Sequence, residues 1–196
     1  MMPSFEDFEP LFTAEVLQKR VAELGQQISA DLADSENLVV ACVLKGAIVF
    51  MSDLIRYLPH NVTCDFLRLS SYQGGTVSTG TVRFDFDLTQ PIKDKDVLIV
   101  EDIVDTGLSM HFLLKALSAR DPRSLKICTL LDKPARRRRD VPISYAGFKI
   151  EDRFVIGYGL DLEGRYRNLP YIGALTAAKQ AELDGESSED ALHVKG

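Results

Sequence analysis

The sequence predicts an α/β fold built on a mainly parallel, twisted sheet with helices on both faces. Two patterns support this prediction: continuous apolar runs, typical of strands buried on both faces, and intervening stretches with apolar residues at helical spacing. The chain has 196 residues, of which 45% are hydrophobic, enough for one domain with a substantial core. We expect this domain over residues 1–178 and a polar, flexible tail over 179–196.

The first third of the chain alternates helix and strand signals. Residues 13–32 have apolar residues at helical spacing, with Thr13 as the expected N-cap. Residues 38–44 form a continuous apolar run and predict a buried strand. Residues 47–57 predict a second helix, and residues 64–69 predict a short strand.

The remaining elements continue this alternation after a loop. Residues 70–80 are rich in Gly, Ser and Thr and predict a flexible loop. Residues 82–88 alternate apolar and charged side chains, which is the period of a strand with one face in water. Further strands are predicted over 97–100, 125–131 and 154–158, and a helix over about 110–119.

Charge and cysteine content exclude several classes of function. The net charge of -6 argues against nucleic acid as the main partner, because phosphate backbones need a basic surface. No apolar run approaches the roughly 20 residues of a membrane span, and the N-terminus lacks a secretory signal pattern. Cys42, Cys64 and Cys128 lie far apart in apolar stretches, so we expect buried free thiols in a cytoplasmic protein.

Residues 97–109 are the most informative segment. A buried strand ends in Glu101 and Asp102, and an Asp-Thr-Gly turn over 105–107 then leads into a helix. Adjacent carboxylates repel each other unless a cation or a hydroxyl-rich ligand binds there. The turn offers backbone N–H groups and hydroxyls at a helix N-terminus, which favours a phosphate site. The glycine spacing fits neither a Walker A loop nor a dinucleotide fingerprint, and a simple acidic loop is the plainer alternative.

This segment resembles the phosphoribosyl-pyrophosphate signature of type I phosphoribosyltransferases. Other motifs resemble the bacterial type of the hypoxanthine-guanine phosphoribosyltransferase family, in its order and spacing over about residues 38–175. They are Leu-Lys-Gly at 44–46, Ser71-Tyr72, Leu-Asp-Lys at 131–133, Phe-Val-Ile-Gly-Tyr-Gly-Leu-Asp at 154–161, and Arg167. The resemblance implies the type I phosphoribosyltransferase fold, with a small hood formed by the N- and C-terminal segments.

The resemblance also implies how the sugar phosphate is bound. Glu101 and Asp102 are expected at the ribose hydroxyls, directly or through magnesium. Asp105 is expected to act as general acid/base at the purine N7. The expected 5-phosphate site is the loop of Asp105, Thr106, Gly107, Leu108 and Ser109.

For the purine, the resemblance implies that Lys133 donates to the 6-oxo group and that Phe154 stacks on the base. Val155 is expected to contribute main-chain groups at the edge of the base. Ile103 and Asp161 complete the expected purine site.

For the leaving group, the resemblance implies pyrophosphate contacts from Leu44, Lys45, Gly46 and Arg167. Asp161 is expected to hold a second magnesium ion, so that the metal ligands are Glu101, Asp102 and Asp161. Ser71 and Tyr72 are expected to form a lid that closes over the reacting centre.

The implied activity is magnesium-dependent transfer of a phosphoribosyl group to hypoxanthine or guanine, by a homodimer or homotetramer. Two alternatives stay open: a nucleotide-sensing regulator on the same fold, and a phosphoribosyltransferase for another base such as xanthine or a pyrimidine. The arginine run 136–139 predicts a solvated turn or an interface element.

Overall fold

The computed structural model describes residues 5–58, 61–71 and 82–181. The α-helices α1 to α3 span Ala14–Asp31, Ile48–Leu54 and Leu108–Ser118. Short 3-10 helices span Phe5–Asp7, Ile55–Tyr57 and Pro134–Arg136. The strands β1 to β9 span Phe8–Phe12, Leu38–Leu44, Val62–Ser71, Val82–Phe86, Asp96–Val104, Ser124–Asp132, Tyr145–Lys149, Val155–Ile156 and Ile172–Leu175.

Six of these strands form the main sheet, in the order β4-β3-β2-β5-β6-β7. The edge strand β4 is antiparallel to β3, and every other neighbouring pair is parallel. The prediction of a mainly parallel sheet is therefore confirmed. Because β2, β5 and β6 are neighbours, their carboxyl ends meet at one edge, and the residues after them lie close together.

Both faces of the main sheet are covered, which explains the long apolar runs in its central strands. In β2, Val40 and Cys42 pack into a core that also contains residues of α1 and α2. Val39 and Ala41 face the opposite way, into a core shared with α3. Successive side chains of a strand point to opposite faces, so a strand buried on both sides has no polar position.

A second sheet has the strand order β1-β9-β8 and is antiparallel. It joins the N-terminal strand to two C-terminal ones, with Phe8 opposite Leu175 and Val155 opposite Ala174. The expected hood of N- and C-terminal segments is confirmed. The sequence patterns did not predict β1, β7 or β9, because these strands have only four or five residues and β1 contains Pro10.

Several predicted boundaries agree with the structure, and others differ for identifiable reasons. Helix α1 begins after Thr13, whose Oγ1 accepts a hydrogen bond from the Val16 N–H at 3.4 Å. Strand β5 extends beyond the predicted 97–100, because its pairing with β6 continues to Val104. The strand predicted over 154–158 is limited to β8, because Gly157 and Tyr158 both have positive φ and turn the chain.

The cysteine prediction is correct in part. All three cysteines are free thiols, and Cys42 and Cys128 are buried as expected. Cys64 is exposed, so the prediction of burial was wrong there. Cys64 lies on β3, whose outer neighbour is the edge strand β4. The pairing with β4 begins only at Arg68, so this edge of β3 is uncovered at Cys64. Within the described ranges, no helix is long and apolar enough to cross a membrane.

Candidate active site

Two adjacent carboxylates lie near the carboxyl end of β5. Glu101 Oε2 is buried and has no hydrogen-bond partner. Desolvation, together with the charge of Asp102, raises the pKa of Glu101 well above its usual range. Burial also raises the pKa of Asp102 to about 6, although the Ile103 N–H donates to its Oδ1 at 2.8 Å. Two carboxylates held in this way form a site suited to a cation or to hydroxyl donors.

The turn after β5 leads directly into α3 through Gly107. Its φ of 79° is left-handed, and a Cβ there would lie 2.4 Å from the Arg139 carbonyl oxygen, so both conformation and space require glycine. The His111 N–H donates to the Gly107 carbonyl at 2.9 Å and starts the helix. A cleft of about 100 Å³ lies over this turn, lined by Glu101, Ile103, Val104, Asp105, Thr106, Gly107, Ser109 and Met110. The helix N-terminus favours an anion in this cleft.

A second cleft, of about 310 Å³, adjoins the first. It is lined by Asp102, Ile103, Asp105, Lys133, Arg136, Phe154, Val155, Leu160 and Asp161. Ile103 and Asp105 line both clefts. Asp105 Oδ1 is buried without a hydrogen-bond partner. A carboxylate between an anion site and a larger, partly apolar cleft can exchange a proton with a ligand that spans the two.

Lys133 is buried at the base of the second cleft. Its ammonium group donates to the Arg153 carbonyl at 2.9 Å and lies 3.5 Å from Asp152 Oδ1. Phe154 is 40% exposed, and the centroid of its ring lies 6.4 Å from that of Phe8 in the hood. This arrangement leaves the Phe154 ring accessible for stacking, in the same cleft as the Lys133 donor.

The residues predicted to contact pyrophosphate come together beside Asp102. The Leu44–Lys45 peptide bond is cis, and a Cβ on Gly46 would lie 1.5 Å from Asp102 Oδ2. The loop at Gly159 packs closely against Gly46, since a Cβ on Gly159 would lie 2.0 Å from the Gly46 carbonyl oxygen. Arg167 donates to the Gly159 carbonyl at 2.6 Å and pairs with Asp161 at 2.6 Å.

The three predicted metal ligands do not form one cluster. In the part of the chain that is described, no group of three or more His, Cys, Asp or Glu side chains could hold a metal ion. Asp161 lines the same cleft as Asp102 but is paired with Arg167. Magnesium commonly binds through one or two carboxylates and completes its shell with water and phosphate oxygens. The unpartnered Glu101 Oε2 and the raised pKa of Asp102 fit such a site.

The predicted lid and the predicted tail lie largely outside the described residues. Ser71 is the last residue of β3, and Tyr72 lies outside the described residues, as does most of the predicted lid. The part of the predicted tail after residue 181 also lies outside them.

The arginine run was predicted to be a solvated turn or an interface element; Arg136 is exposed as predicted, whereas for Arg137 solvation is wrong. Arg136 pairs with Asp105 at 3.4 Å. Arg137 is 15% exposed, pairs with Asp132, and donates to the Val104 carbonyl at 3.3 Å. These contacts follow from the order of the strands in the sheet: the run comes after β6, which neighbours β5, so it lies beside the Asp-Thr-Gly turn.

Comparison with known proteins agrees with this geometry. Residues 11–163 match the family model described as the phosphoribosyl transferase domain. The chain is 49% identical over 170 residues to the hypoxanthine-guanine phosphoribosyltransferase of Mycobacterium avium, covering 84% of each chain. It is 45% identical over 168 residues to that of Bacillus subtilis, covering 86% of this chain and 93% of the relative. The crystal structure of a Staphylococcus aureus hypoxanthine phosphoribosyltransferase superposes with a TM-score of 0.83 at 47% identity, covering 90% and 97% of the two chains.

Proposed function

This chain belongs to the phosphoribosyl transferase domain family, and from that premise we propose that it is a purine-salvage enzyme. The proposed reaction joins hypoxanthine or guanine to 5-phosphoribosyl 1-pyrophosphate, giving the nucleoside 5-monophosphate and pyrophosphate. The observation that supports it most directly is the position of Asp105, which lines both the phosphate cleft and the base cleft. A sugar phosphate in the first cleft and a base in the second can therefore meet beside Asp105, where the bond between the ribose C1 and the base would form.

In the proposed complex, the 5-phosphate binds over the N-terminus of α3. Backbone N–H groups and the hydroxyls of Thr106 and Ser109 face that cleft. The ribose hydroxyls lie at Glu101 and Asp102, where carboxylate oxygens accept hydrogen bonds. Both carboxylates are ionised more readily when a cation or hydroxyl donors offset their repulsion.

The base occupies the second cleft. Lys133 donates to the 6-oxo group, and the accessible Phe154 ring stacks on the purine. A donor at this position favours a 6-oxopurine over adenine, whose 6-amino group is itself a donor. Asp105 accepts the N7 proton while N9 attacks the ribose C1, so that the base does not retain positive charge.

The leaving pyrophosphate lies beside Lys45, Gly46 and Arg167. Lys45 is exposed and its ammonium group can reach phosphate oxygens, and Arg167 offers a planar pair of donors. A magnesium ion bound with the substrate would neutralise charge on the diphosphate. Glu101, Asp102 and Asp161 are the residues that would hold it. We further propose a cytoplasmic homodimer or homotetramer that does not bind nucleic acid.

Incubating the protein with magnesium, phosphoribosyl pyrophosphate and one base at a time tests the proposal. Hypoxanthine and guanine, but not adenine or uracil, are expected to give nucleotide, followed by absorbance and by pyrophosphate release. Turnover with xanthine or a pyrimidine in their place would assign a different base. Binding of phosphoribosyl pyrophosphate without turnover of any base would contradict the enzyme assignment and favour a regulator.

A further inference from the structure

Arg136 lies on the wall of the base cleft between two carboxylates. Its Nη1 atom is 3.4 Å from Asp105 Oδ2, and its Nε atom is 3.8 Å from Asp152 Oδ2. Asp152 Oδ1 is also 3.5 Å from Lys133 Nζ. These side chains form a row of alternating charge, from Lys133 through Asp152 and Arg136 to Asp105, which links the expected base-binding lysine to the expected catalytic carboxylate.

The surroundings of Asp105 contain charges of both signs. The two carboxylates at the end of β5 precede it, and Asp161 lines the same cleft. Lys133 directs its ammonium group to Asp152 and to a backbone carbonyl. Among the described residues, the ion pair seen for Asp105 is the one with Arg136.

Arg137, next in the run, does not share this role. It pairs with Asp132 and donates to the Val104 carbonyl, below the turn. The two neighbouring arginines therefore differ in their contacts: Arg137 supports the backbone of the turn, and Arg136 reaches the Asp105 carboxylate.

We propose that Arg136 is a positioning residue for Asp105, holding its carboxylate turned toward the purine N7, and that Asp152 keeps Arg136 in place. This inference rests on the proposed function, because it concerns the same base cleft. Arg136 engages Oδ2, and Oδ1 has no hydrogen-bond partner among the described residues, so this ion pair is the contact that fixes the orientation of the carboxylate. The pair is half-exposed in the open cleft, and a bound purine would displace water and strengthen it.

The test compares Arg136→Gln with Arg138→Gln. Arg138 is exposed, and the substitution removes the same charge two residues away. Its backbone N–H, which donates to the Thr106 carbonyl at 2.9 Å, is kept. For Arg136→Gln we expect kcat with hypoxanthine to fall about 2- to 5-fold, the range for a partly exposed ion pair, with an unchanged KM for phosphoribosyl pyrophosphate. Arg138→Gln is expected to match wild type, and Arg136→Lys to recover part of the loss.

A second measurement separates positioning of Asp105 from a general loss of structure. 9-Deazahypoxanthine has a fixed N7–H donor, whereas 7-deazahypoxanthine has a carbon at that position. Inhibition constants against hypoxanthine are measured for both compounds. Arg136→Gln is expected to weaken the binding of 9-deazahypoxanthine about 2- to 5-fold and to leave the binding of 7-deazahypoxanthine unchanged. A structural defect would weaken both equally.

The outcomes separate this inference from the proposed function. If wild type converts hypoxanthine and Arg136→Gln behaves as Arg138→Gln in both measurements, the role of Arg136 is overturned and the function stands. Equally weakened binding of the two deaza compounds also overturns the role of Arg136. If wild type converts no base, the proposed function itself fails, whatever the variants do.

Discussion

The two ends of β5 place carboxylates in opposite environments. At the N-terminal end, Asp96 is buried and accepts hydrogen bonds from Arg123 and from two serine hydroxyls, at 2.5 and 2.6 Å. The hydrogen bond from Arg123 is the main cause that holds its pKa below the usual range. At the C-terminal end, burial raises the pKa of Glu101 and Asp102, and Glu101 Oε2 has no partner.

The difference distinguishes a carboxylate that stabilises the fold from one that is available to a ligand. Every oxygen of Asp96 is engaged by the protein, so its charge favours the folded state. The charges of Glu101 and Asp102 oppose folding until something outside the chain offsets them. Polar groups buried without partners therefore indicate the ligand site, and the same strand shows both cases.

The largest effect is expected at the carboxylate just beyond the C-terminal end. Asp105→Asn removes the group that accepts the purine N7 proton, so turnover should fall roughly 10²- to 10⁴-fold with substrate binding largely kept. Steady-state kinetics with hypoxanthine check this. Asp140→Asn, an exposed position in the loop before β7, removes the same charge and should match wild type. Wild-type turnover in Asp105→Asn would defeat the assignment.

The sequence predicted the central strands and the position of the candidate site, but not all of its side chains. The apolar runs of β2, β5 and β6 are long, so their periodicity is unambiguous, and carboxyl ends of parallel strands share an edge. The roles of Arg136 and Arg137 depend on where a turn between β6 and β7 folds back against the Asp-Thr-Gly turn. Such a contact is tertiary, and no local pattern of charge encodes it.

Two strands of the hood, β1 and β9, were not predicted for a related reason. Strands β1 and β9 are far apart in the chain and gain their stability from pairing with each other, not from an apolar repeat. The contacts of β1 with the site could not be predicted from the sequence either. Phe8 of β1 lies beside Phe154, and Glu9 pairs with Arg153 at 2.5 Å. The N-terminal segment thus supports the ring that is expected to stack on the base.

A smaller effect, on stability instead of turnover, is expected at the N-terminal end. Asp96→Asn removes the charge that pairs with Arg123 and replaces one of the two acceptor oxygens with an NH2 donor, which should lower the free energy of unfolding by about 2–3 kcal/mol. Urea unfolding at pH 7.5 measures it. Turnover should stay near wild type, because the site lies at the other end of the strand. The exposed Asp121→Asn is the matched control, and equal stability of the two variants would contradict the role of Asp96.

The smallest effect concerns the pH dependence of stability, and its sign differs between the two ends. The pKa of Asp102 is about 6 in the folded protein and near 4 when unfolded, so between these values the folded state binds more protons. Stability from this group therefore increases as pH falls through that window. For Asp96, whose pKa is lowered by folding, stability is present above the unfolded pKa and is lost as pH falls below it.

In a metal-free buffer with chelator, Asp102→Asn should accordingly be more stable than wild type at pH 7.5, by about 1–2 kcal/mol. The difference should shrink toward pH 5, because wild-type Asp102 is then largely protonated in the folded state and its cost to folding is smaller. Asp96→Asn should keep its full deficit at pH 5, because the wild-type carboxylate is still ionised there. Urea unfolding of both variants at the two pH values gives the comparison. A variant of Asp102 that is less stable than wild type at pH 7.5 would mean that this carboxylate stabilises the fold as Asp96 does, and the contrast between the two ends of β5 would no longer hold.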